Sequence, residues 1–348
     1  MALLITDEEV RRLIDMAGAI DICELAIKEL QLRKAENRPR QQFYVAGARE
    51  TFMMRQFQGA VPSLGVAGLR VTTDVVGDAA NNAQRRPFGM FLLFDLASAA
   101  LLAILHDHEL QRLRVGAETG AAARCLGRAD AKTVGVLGSG YQAETQLAAV
   151  CAVRAIERAE VYSPTTEHRS RFARRMEKQL QLPVLPRETP SDAVKDKDLV
   201  LASTNAAQPV LDASWLSEGA HVTSIVNSDG RYPRRELDNR TFARAAIVAI
   251  GSLEQSRQDH AADIFEAVAA GALDWEKICD LGEILTGQRA GRKNRAQITV
   301  FKNNGLAVEF SALAWKVYRL ALAAGAGEEI PDHYFPALNK QKKRKNES

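Results

Sequence analysis

A glycine-containing turn between a strand and a helix is the clearest chemical signal in the sequence. It follows the apolar run KTVGVL, residues 132–137, and has the pattern GxGxxA. The first glycine permits a tight turn, the second lets the backbone approach a pyrophosphate, and the final alanine, Ala143, allows close packing of the helix that follows. The N-terminus of that helix favours an anion. We therefore predict that a dinucleotide binds to the turn residues Gly138, Ser139, Gly140, Tyr141 and Gln142.

The residues after the next strand indicate which dinucleotide is bound. That strand, AEVYS, ends at Ser163, and the segment PTTEHR follows it. An acid at the strand end would accept hydrogen bonds from the 2′-hydroxyl of NAD and repel the 2′-phosphate of NADP. No acid stands there, and Ser163, Thr165 and Arg169 can receive a phosphate, so the sequence favours NADP. The alternative is that the hydroxyl residues only cap the next helix.

The composition is that of a folded globular protein with about two domains. The chain has 348 residues, of which 46% are hydrophobic and 26% are charged, and its formal net charge is +3. These fractions exclude a largely disordered or fibrous chain. The charge surplus is too small to predict a surface that binds nucleic acid.

Export, a membrane span and a metal site are not expected. The four cysteines lie far apart without a CxxC or a nearby histidine pair, which argues against a zinc site and a disulfide framework. The N-terminus places acids directly after a short apolar run, unlike a signal peptide. The most apolar stretch, 88–106, is interrupted by Asp95 and Ser98 and is interpreted as two strands. We expect a cytoplasmic protein without a membrane partner.

Two helices and an antiparallel sheet are predicted before residue 106. Thr6 followed by Glu9 is typical of a capping box, and a second helix is predicted over 20–34. Short β-rich runs divided by Gly, Pro and Asn extend from Phe43 to about Leu105. The polar segment 78–87 is interpreted as a loop, and the Ala-rich segment 113–128 as a helix.

An alternating pattern of strands and helices follows the glycine turn. The runs DLVLAS, HVTSIV and AAIVAI predict further strands of a parallel sheet, which makes the fold class α/β with a central Rossmann domain. Residues 301–324 carry a helical apolar stripe that needs a partner surface, and we expect this segment to return to the first unit. The basic tail 339–348 is expected to be disordered.

Four blocks in order resemble the ornithine cyclodeaminase/mu-crystallin family. They are residues 114–147, 205–225, 229–238 and 281–310. The resemblance covers about residues 5–325 and implies a homodimer in which both chain ends form an α+β substrate and dimerisation domain. The implied domains are 1–115 with 310–338, and the Rossmann domain 116–309. The runs VTTDVV and QRLRV resemble a divergent branch that includes proteins named as a component of tyramine oxidase.

By this resemblance, Arg40 and Arg114 hold the carboxylate of a substrate. Arg40 follows Pro39, and Arg114 begins the motif Arg-Val-Gly-Ala. A planar guanidinium can donate two parallel hydrogen bonds to a carboxylate, and two such residues favour an α-amino or α-imino acid as ligand. The alternative for Arg40 is a solvated residue in a basic loop.

The resemblance also implies two residues near the reacting atoms, Asp229 and Arg70. Asp229 corresponds to an acid that contacts the substrate amine and moves a proton, although an Asp-Gly turn that only shapes the loop is the alternative. Arg70, in Gly68-Leu69-Arg70, stands where the family has a lysine. Arginine stays charged, so it can stabilise negative charge but cannot act as an ordinary general base. A structural ion pair between Arg70 and Asp74 is the alternative.

Three more polar residues are predicted to contact the cofactor. Thr204 and Asn205 follow the strand DLVLAS and are predicted near a ribose, and Asn303 is predicted to face the nicotinamide. Loop capping is the alternative for each. Packing or hydrogen-bonding roles are predicted for Glu309 and His221.

These residues lead to one main hypothesis and two alternatives. The main hypothesis is an NAD(P)-dependent oxidoreductase that interconverts an imino (ketimine) acid and an amino acid by hydride transfer. The first alternative is an ornithine cyclodeaminase-like ammonia lyase that uses bound NAD without net turnover. The second is a non-catalytic, NADP-dependent ligand-binding protein of the mu-crystallin type.

Overall fold

The computed structural model describes residues 1–47, 51–76, 87–226 and 234–335. Up to residue 126 it contains six strands and three helices. In chain order these are β1 (Ala2–Ile5), α1 (Asp7–Leu13), α2 (Met16–Gln31), β2 (Glu36–Ala46), β3 (Thr51–Val61), β4 (Val66–Val76), β5 (Phe88–Asp95), β6 (Leu101–His106) and α3 (Asp107–Leu126). The loop predicted over 78–87 and the basic tail lie outside the described residues, apart from Pro87.

The rest of the chain alternates strands and helices before a long final helix. In chain order the elements are β7 (Thr133–Leu137), α4 (Tyr141–Val153), β8 (Arg158–Tyr162), α5 (Thr166–Leu180), β9 (Val184–Pro186), α6 (Pro190–Val194), β10 (Leu199–Ala202), β11 (His221–Ser224), α7 (Asn239–Arg244), β12 (Ala245–Ile250), α8 (Leu253–Asp259), α9 (Ala262–Ala269), β13 (Ile278–Asp280), α10 (Leu281–Leu285), β14 (Ile298–Lys302), α11 (Ala307–Ala324) and β15 (Glu328–Ile330). Among the described residues no helix is long and apolar enough to cross a membrane.

The eight strands of the second sheet are all parallel. Their order is β13-β12-β14-β11-β10-β7-β8-β9. The chain moves outward from β7 through β8 and β9 and then returns to place β10 on the other side of β7. Such a reversal leaves a crevice at the carboxyl ends of β7 and β10, where doubly wound sheets bind ligands. The predicted α/β class with a Rossmann domain is confirmed.

The first sheet is built from both ends of the chain. Its order is β15-β1-β6-β5-β4-β3-β2, antiparallel except for the parallel pair β1 and β6. Helix α11 packs on α2, β3 and β4, so the apolar stripe returns to the first unit as predicted. The predicted boundary at 115/116 falls inside α3, which contacts both α2 and α4, and the division into domains stays a prediction.

Local signals account for where several elements begin. The capping box at Thr6 is present, because the Thr6 N–H donates to Glu9 Oε2 at 2.8 Å and the Glu9 N–H donates to Thr6 Oγ1 at 3.4 Å. The stretch 88–106 forms two strands, as predicted. Strand β1 was not predicted. It has only four residues, which is too short for a periodic pattern to be recognised. Its neighbours in the sheet, β6 and β15, are also distant in sequence, so no local pattern indicates the pairing.

Candidate active site

The glycine turn combines a positive φ at Gly138 with an uncapped helix N-terminus at Gly140. Gly138 has φ of 109°, and a Cβ at this position would lie 2.2 Å from the carbonyl oxygen of Ser203. Gly140 is the N-cap of α4, and the space where its Cβ would lie has no other protein atom within 4 Å. The first N–H groups of α4 therefore have no side-chain cap, which leaves them available to an anionic ligand.

Ser139 and Ser163 join the turn to the end of β8. Ser139 Oγ donates to Ser163 Oγ at 2.8 Å. Arg169 is buried and directs Nη1 at the carbonyl oxygens of Ser163 and Pro164, at 3.0 and 3.4 Å, while Nη2 pairs with Glu188. Its guanidinium thus shapes this loop in the structure. The predicted contact of Arg169 with a phosphate stays a prediction, and a phosphate would have to take the place of the exposed Glu188 carboxylate.

Of the other predicted cofactor contacts, Tyr141 and Asn205 are exposed. Tyr141 is 48% exposed and stacks on His108 with ring centroids 5.0 Å apart. Gln142 Nε2 donates to Gln111 Oε1 at 2.7 Å, which links α4 to α3. Asn205 is exposed in the loop after β10. The contacts of these three residues with a cofactor stay predictions.

Thr204 lies just after β10 and is held by protein atoms. Its Oγ1 donates to Glu236 Oε1 at 2.9 Å. The other carboxylate oxygen of Glu236 accepts from Ser224 Oγ at 2.8 Å and from the N–H groups of Ile225 and Val226 at 2.9 and 3.0 Å. The fully buried Glu236 therefore ties the loop after β10 to the loop after β11. Sequence reasoning missed this role, although Glu236 belongs to the block 229–238 that carries the resemblance.

Three arginines converge on two tilted aromatic rings, Phe57 and Phe310. The ring centroids lie 5.7 Å apart. The guanidinium carbon of Arg70 is 5.1 Å from the first centroid and 4.8 Å from the second. Arg40 lies 5.9 Å from Phe57, and Arg114 lies 5.2 Å from Phe310. All three side chains are buried, so the structure brings together the cations that the resemblance assigned to the substrate.

Arg114 keeps one edge of its guanidinium free of protein acceptors among the described residues. Its polar contacts with the described residues all use Nη1, which donates to Asn303 Oδ1 at 3.0 Å and to Glu118 Oε2 at 3.1 Å and lies 4.0 Å from Glu309 Oε2. Nε is buried and has no hydrogen-bond partner in the described chain. Such a buried donor is costly unless a ligand satisfies it.

Arg40 and Arg70 each have a carboxylate partner. Arg70 forms a bidentate pair with Asp107, with Nε to Oδ1 at 2.5 Å and Nη2 to Oδ2 at 2.6 Å. The predicted alternative, a pair with Asp74, was wrong, because both residues lie on the extended strand β4 and four residues at about 3.3 Å each separate them too far. Arg40 pairs with Asp259 of α8. It is therefore a buried residue rather than a solvated one.

A cleft of about 530 Å³ connects Arg70 with the start of α4. Its walls include Arg70 from the first sheet, Asp107 and His108 from the start of α3, and Tyr141 from the glycine turn. This cleft places Arg70, one of the three clustered arginines, beside the glycine turn of the parallel sheet. Ligand sites are commonly found at such junctions.

Asn303 joins the two halves of this region. Its Oδ1 accepts from Arg114, and its Nδ2 donates to the Val115 carbonyl oxygen at 2.9 Å. Asn303 is 2% exposed, so its amide is committed to fixing Arg114, and its predicted contact with the nicotinamide stays a prediction. Asp229 lies outside the described residues, and its predicted role stays a prediction too.

Two buried polar residues near Arg114 and the strand ends were not singled out from the sequence. Glu118, one helical turn after Arg114, is fully buried. Lys302 is also buried, and its Nζ lies 2.7 Å from Asp263 Oδ2 and donates to Ser224 Oγ at 3.1 Å. Two sequence features could have indicated these buried residues. Glu118 is a charged residue on the Ala-rich α3, and Lys302 is a charged residue in the apolar run ITVFK. The predicted internal roles hold for His221, which lies 2.9 Å from Thr299 Oγ1, and for Glu309.

Comparison with known proteins gives the family. The sequence matches the model of the ornithine cyclodeaminase/mu-crystallin family over residues 2–325. The chain belongs to this family. Delta(1)-pyrroline-2-carboxylate reductase of Bacillus cereus is 30% identical over 329 residues, which cover 94% of this chain and 99% of that protein.

Two solved structures have the same fold over nearly the whole chain. Delta(1)-pyrroline-2-carboxylate reductase of Thermococcus litoralis, in complex with NADH and L-proline, gives a TM-score of 0.87 at 30% identity and covers 94% of this chain and 100% of that chain. An archaeal alanine dehydrogenase dimer with bound NAD gives 0.84 at 27% identity and covers 95% and 99%. The predicted class, an NAD(P)-dependent oxidoreductase acting between imino and amino acids, is confirmed.

Proposed function

We propose that this family member reduces a cyclic ketimine carboxylate to the corresponding cyclic amino acid. The observation that carries the proposal is the buried Nε of Arg114, which has no acceptor in the described chain. Arg114 shares the Phe310 ring with Arg70, which lines the cleft beside the glycine turn. A carboxylate placed on the Nε and Nη2 edge would accept two parallel hydrogen bonds. The B. cereus and T. litoralis relatives, both named for pyrroline-2-carboxylate, support a five-membered cyclic imine as the first substrate to test.

Residues of this chain would then orient and protonate the imine. When bound, the nicotinamide supplies the hydride that reduces the imine carbon. Arg114 holds the carboxylate, and Asn303 fixes the Arg114 side chain through Nη1. Arg70 contributes positive charge, reduced by its pair with Asp107. Asp229 delivers the proton that the imine nitrogen needs, so that hydride and proton together convert C=N into CH–NH.

We further propose that NADPH is the preferred reductant. The end of β8 carries Ser163 instead of an acid, and Thr165 and Arg169 adjoin it. Glu188, the exposed partner of Arg169, can swing into solvent and leave the guanidinium to a 2′-phosphate. A kcat/KM for NADPH well above that for NADH would support this preference, and the reverse order would reject it.

We also propose that the protein is a homodimer. The outer face of the first sheet carries four exposed large apolar side chains, Phe43, Val45, Phe52 and Phe88, which are 38–55% exposed. Polar residues are expected on a solvated sheet face, and contiguous apolar patches of this kind mark interfaces. The archaeal alanine dehydrogenase, whose fold matches over 95% of this chain, is a dimer.

The deciding experiment is a turnover assay with Arg114 variants. Purified protein is mixed with NADPH or NADH and Δ1-pyrroline-2-carboxylate, and cofactor oxidation is followed by nicotinamide absorbance. Arg114→Lys keeps the charge but loses the bidentate edge, and we expect kcat/KM to fall by roughly 10- to 150-fold with cofactor affinity retained. Arg124→Lys is the matched control, because Arg124 lies on the same helix and pairs with Asp21 and Glu24 on the surface.

Three outcomes separate the hypotheses. Turnover that depends on Arg114 supports the reductase. Release of ammonia from ornithine without net change in cofactor absorbance would identify a lyase instead. Tight cofactor binding without turnover on any imino or amino acid would identify a binding protein.

A further inference from the structure

Two carboxylates lie beside Arg114, the residue that we propose binds the substrate carboxylate. Glu118 Oε2 and Glu309 Oε2 lie 3.1 and 4.0 Å from the same atom, Arg114 Nη1. Both side chains are fully buried. The Oε1 atom of each is also buried and has no hydrogen-bond partner within the described residues. A fully ionised pair would leave two oxygens unsatisfied and one uncompensated negative charge in the interior.

The surroundings supply no second cation to this pair among the described residues. Helix α2 brings the buried thiol of Cys23, whose Sγ lies 4.0 Å from the Glu309 carbonyl oxygen. The loop after β14 brings neutral groups, Asn303, Asn304 and Gly305. The adjacent Lys302 is paired with Asp263, and across Phe310 the Arg70 guanidinium is paired with Asp107. Arg114 is therefore the single cation that contacts the two carboxylates in the described chain.

We propose that Glu118 and Glu309 share one proton, and that binding of the substrate carboxylate to Arg114 is coupled to the protonation of this pair. The inference rests on the proposed role of Arg114 and goes beyond it. With one proton on the pair, the charges of Arg114 and the two glutamates sum to zero. Without that proton they sum to minus one, and the substrate carboxylate is repelled. A proton taken from water on binding removes the repulsion.

The electrostatic surroundings support protonation near neutral pH. Burial raises the pKa of Glu118 to about 7, although the Arg114 charge opposes the rise. Burial raises the pKa of Glu309 as well, and the charge of Glu118 adds to this rise. The two groups titrate as one pair. A bound carboxylate adds negative charge and so favours the protonated pair further.

A glycine lies between the pair and an open cleft. A Cβ on Gly251 would lie 2.3 Å from Glu118 Oε1, so the carboxylate rests directly on the Gly251 backbone. Gly251 and Leu306 also line an open cleft of about 410 Å³, and the Leu306 N–H donates to Glu309 Oε2 at 2.7 Å. Gly251 and Leu306 therefore stand between this cleft and the two acids.

The test measures protons taken up when a carboxylate binds. Holoenzyme loaded with NADP⁺ is titrated calorimetrically with pyrrole-2-carboxylate, which has no group that titrates between neutral and mildly alkaline pH. Buffers of different ionisation enthalpy then give the number of protons exchanged. We expect uptake of roughly one proton at about pH 8, and a Kd that rises about tenfold per pH unit above about pH 7.

Two variants and a control make the result specific. In Glu118→Gln, and separately in Glu309→Gln, one carboxylate remains beside Arg114 and no second negative charge opposes its ionisation. We therefore expect no uptake and a Kd that does not depend on pH in this range. Glu109→Gln is the matched control. Glu109 is another buried acid of α3, but Arg11 and Arg112 hold its pKa below the usual value against the effect of burial, so wild-type uptake should persist in this variant.

The outcomes distinguish this inference from the function on which it rests. Absence of carboxylate binding by the wild-type holoenzyme would reject both. Binding without proton uptake, or uptake that persists in both glutamine variants, would reject the shared proton alone.

Discussion

At the scale of single residues, Arg70 and Arg114 differ in which guanidinium nitrogens remain available to donate hydrogen bonds to a ligand. Two nitrogens on one edge of Arg70 donate to Asp107, whereas the polar contacts of Arg114 with the described residues use Nη1 alone. Arg70 therefore acts through its charge, and Arg114 through directed hydrogen bonds. Arg70 also lies within 5.1 Å of both Phe57 and Phe310, where desolvation strengthens the cation–π contact.

The charge role of Arg70 leads to a prediction. Arg70→Lys keeps a cation, and we expect kcat/KM to stay within about tenfold of wild type, whereas Arg70→Met should lower it by roughly 100-fold or more. Steady-state kinetics with the cyclic imine measure both. Since Arg70→Met leaves the Asp107 carboxylate buried and unpaired, the double variant Arg70→Met with Asp107→Asn is the control. Recovery of full turnover in that double variant would show that the Arg70 charge is dispensable.

The buried carboxyl of Glu118 leads to a second prediction, which concerns how the stability of the folded protein depends on pH. The folded protein holds the pKa of Glu118 at about 7, above the ordinary value of 4.5, so the folded state binds more protons than the unfolded state between these values. The free energy of unfolding therefore falls as the pH rises from 4.5 to about 7, and above this range Glu118 changes it no further. Glu118→Gln should stabilise the protein by on the order of 2 kcal/mol at about pH 8 and by little at about pH 5. Urea unfolding at both pH values tests this, and an equal gain at both would point to packing.

At the scale of elements, the sequence was sufficient where the information is local. The turn from Gly138 to Ala143 and the capping box at Thr6 each lie within six consecutive residues, and both were predicted. Pairing across the fold was not predictable, because a pattern of residue types does not say which acid meets which arginine. Asp107 and Asp259 look like ordinary polar positions in the sequence, and only the arrangement of β4 with α3, and of β2 with α8, places them against Arg70 and Arg40.

Substitutions in the glycine turn can separate effects on folding stability from effects on dinucleotide affinity. Gly138→Ala adds a Cβ 2.2 Å from the Ser203 carbonyl oxygen at a positive φ, so we expect loss of stability by about 1–3 kcal/mol together with weaker dinucleotide binding. Gly140→Ala meets no protein atom within 4 Å, so it should leave the melting temperature near wild type and weaken the dinucleotide alone. Thermal melts without cofactor and cofactor titrations test the pair. Unchanged dinucleotide affinity in Gly140→Ala would place the pyrophosphate elsewhere.

At the scale of the whole molecule, the two faces of the first sheet have different partners. The inner face is covered by α11, which packs on β3 and β4. It carries Arg70, which lines the cleft and lies over the Phe57 ring. On the outer face Val45 and Phe52 are opposite each other in register, and the Phe43 and Phe52 rings lie 6.5 Å apart. Strand β2 is also the last strand of this sheet. Its edge is bonded at Arg40 by Gln255 and Gln258 of α8, so the exposed apolar face, rather than the edge, favours association.

A pair of polar substitutions on this face tests the dimer. We expect wild-type protein to have twice the chain mass by light scattering after size exclusion, and Phe43→Ser with Val45→Thr to shift it to the monomer at micromolar concentration, because these side chains are 52% and 55% exposed in one chain and would be buried in the interface. Leu322→Ser is the matched control, since Leu322 is 51% exposed but lies on α11, away from this face. A monomeric wild type would reject the proposed dimer. A wild-type dimer that survives the double substitution would place the interface on another surface.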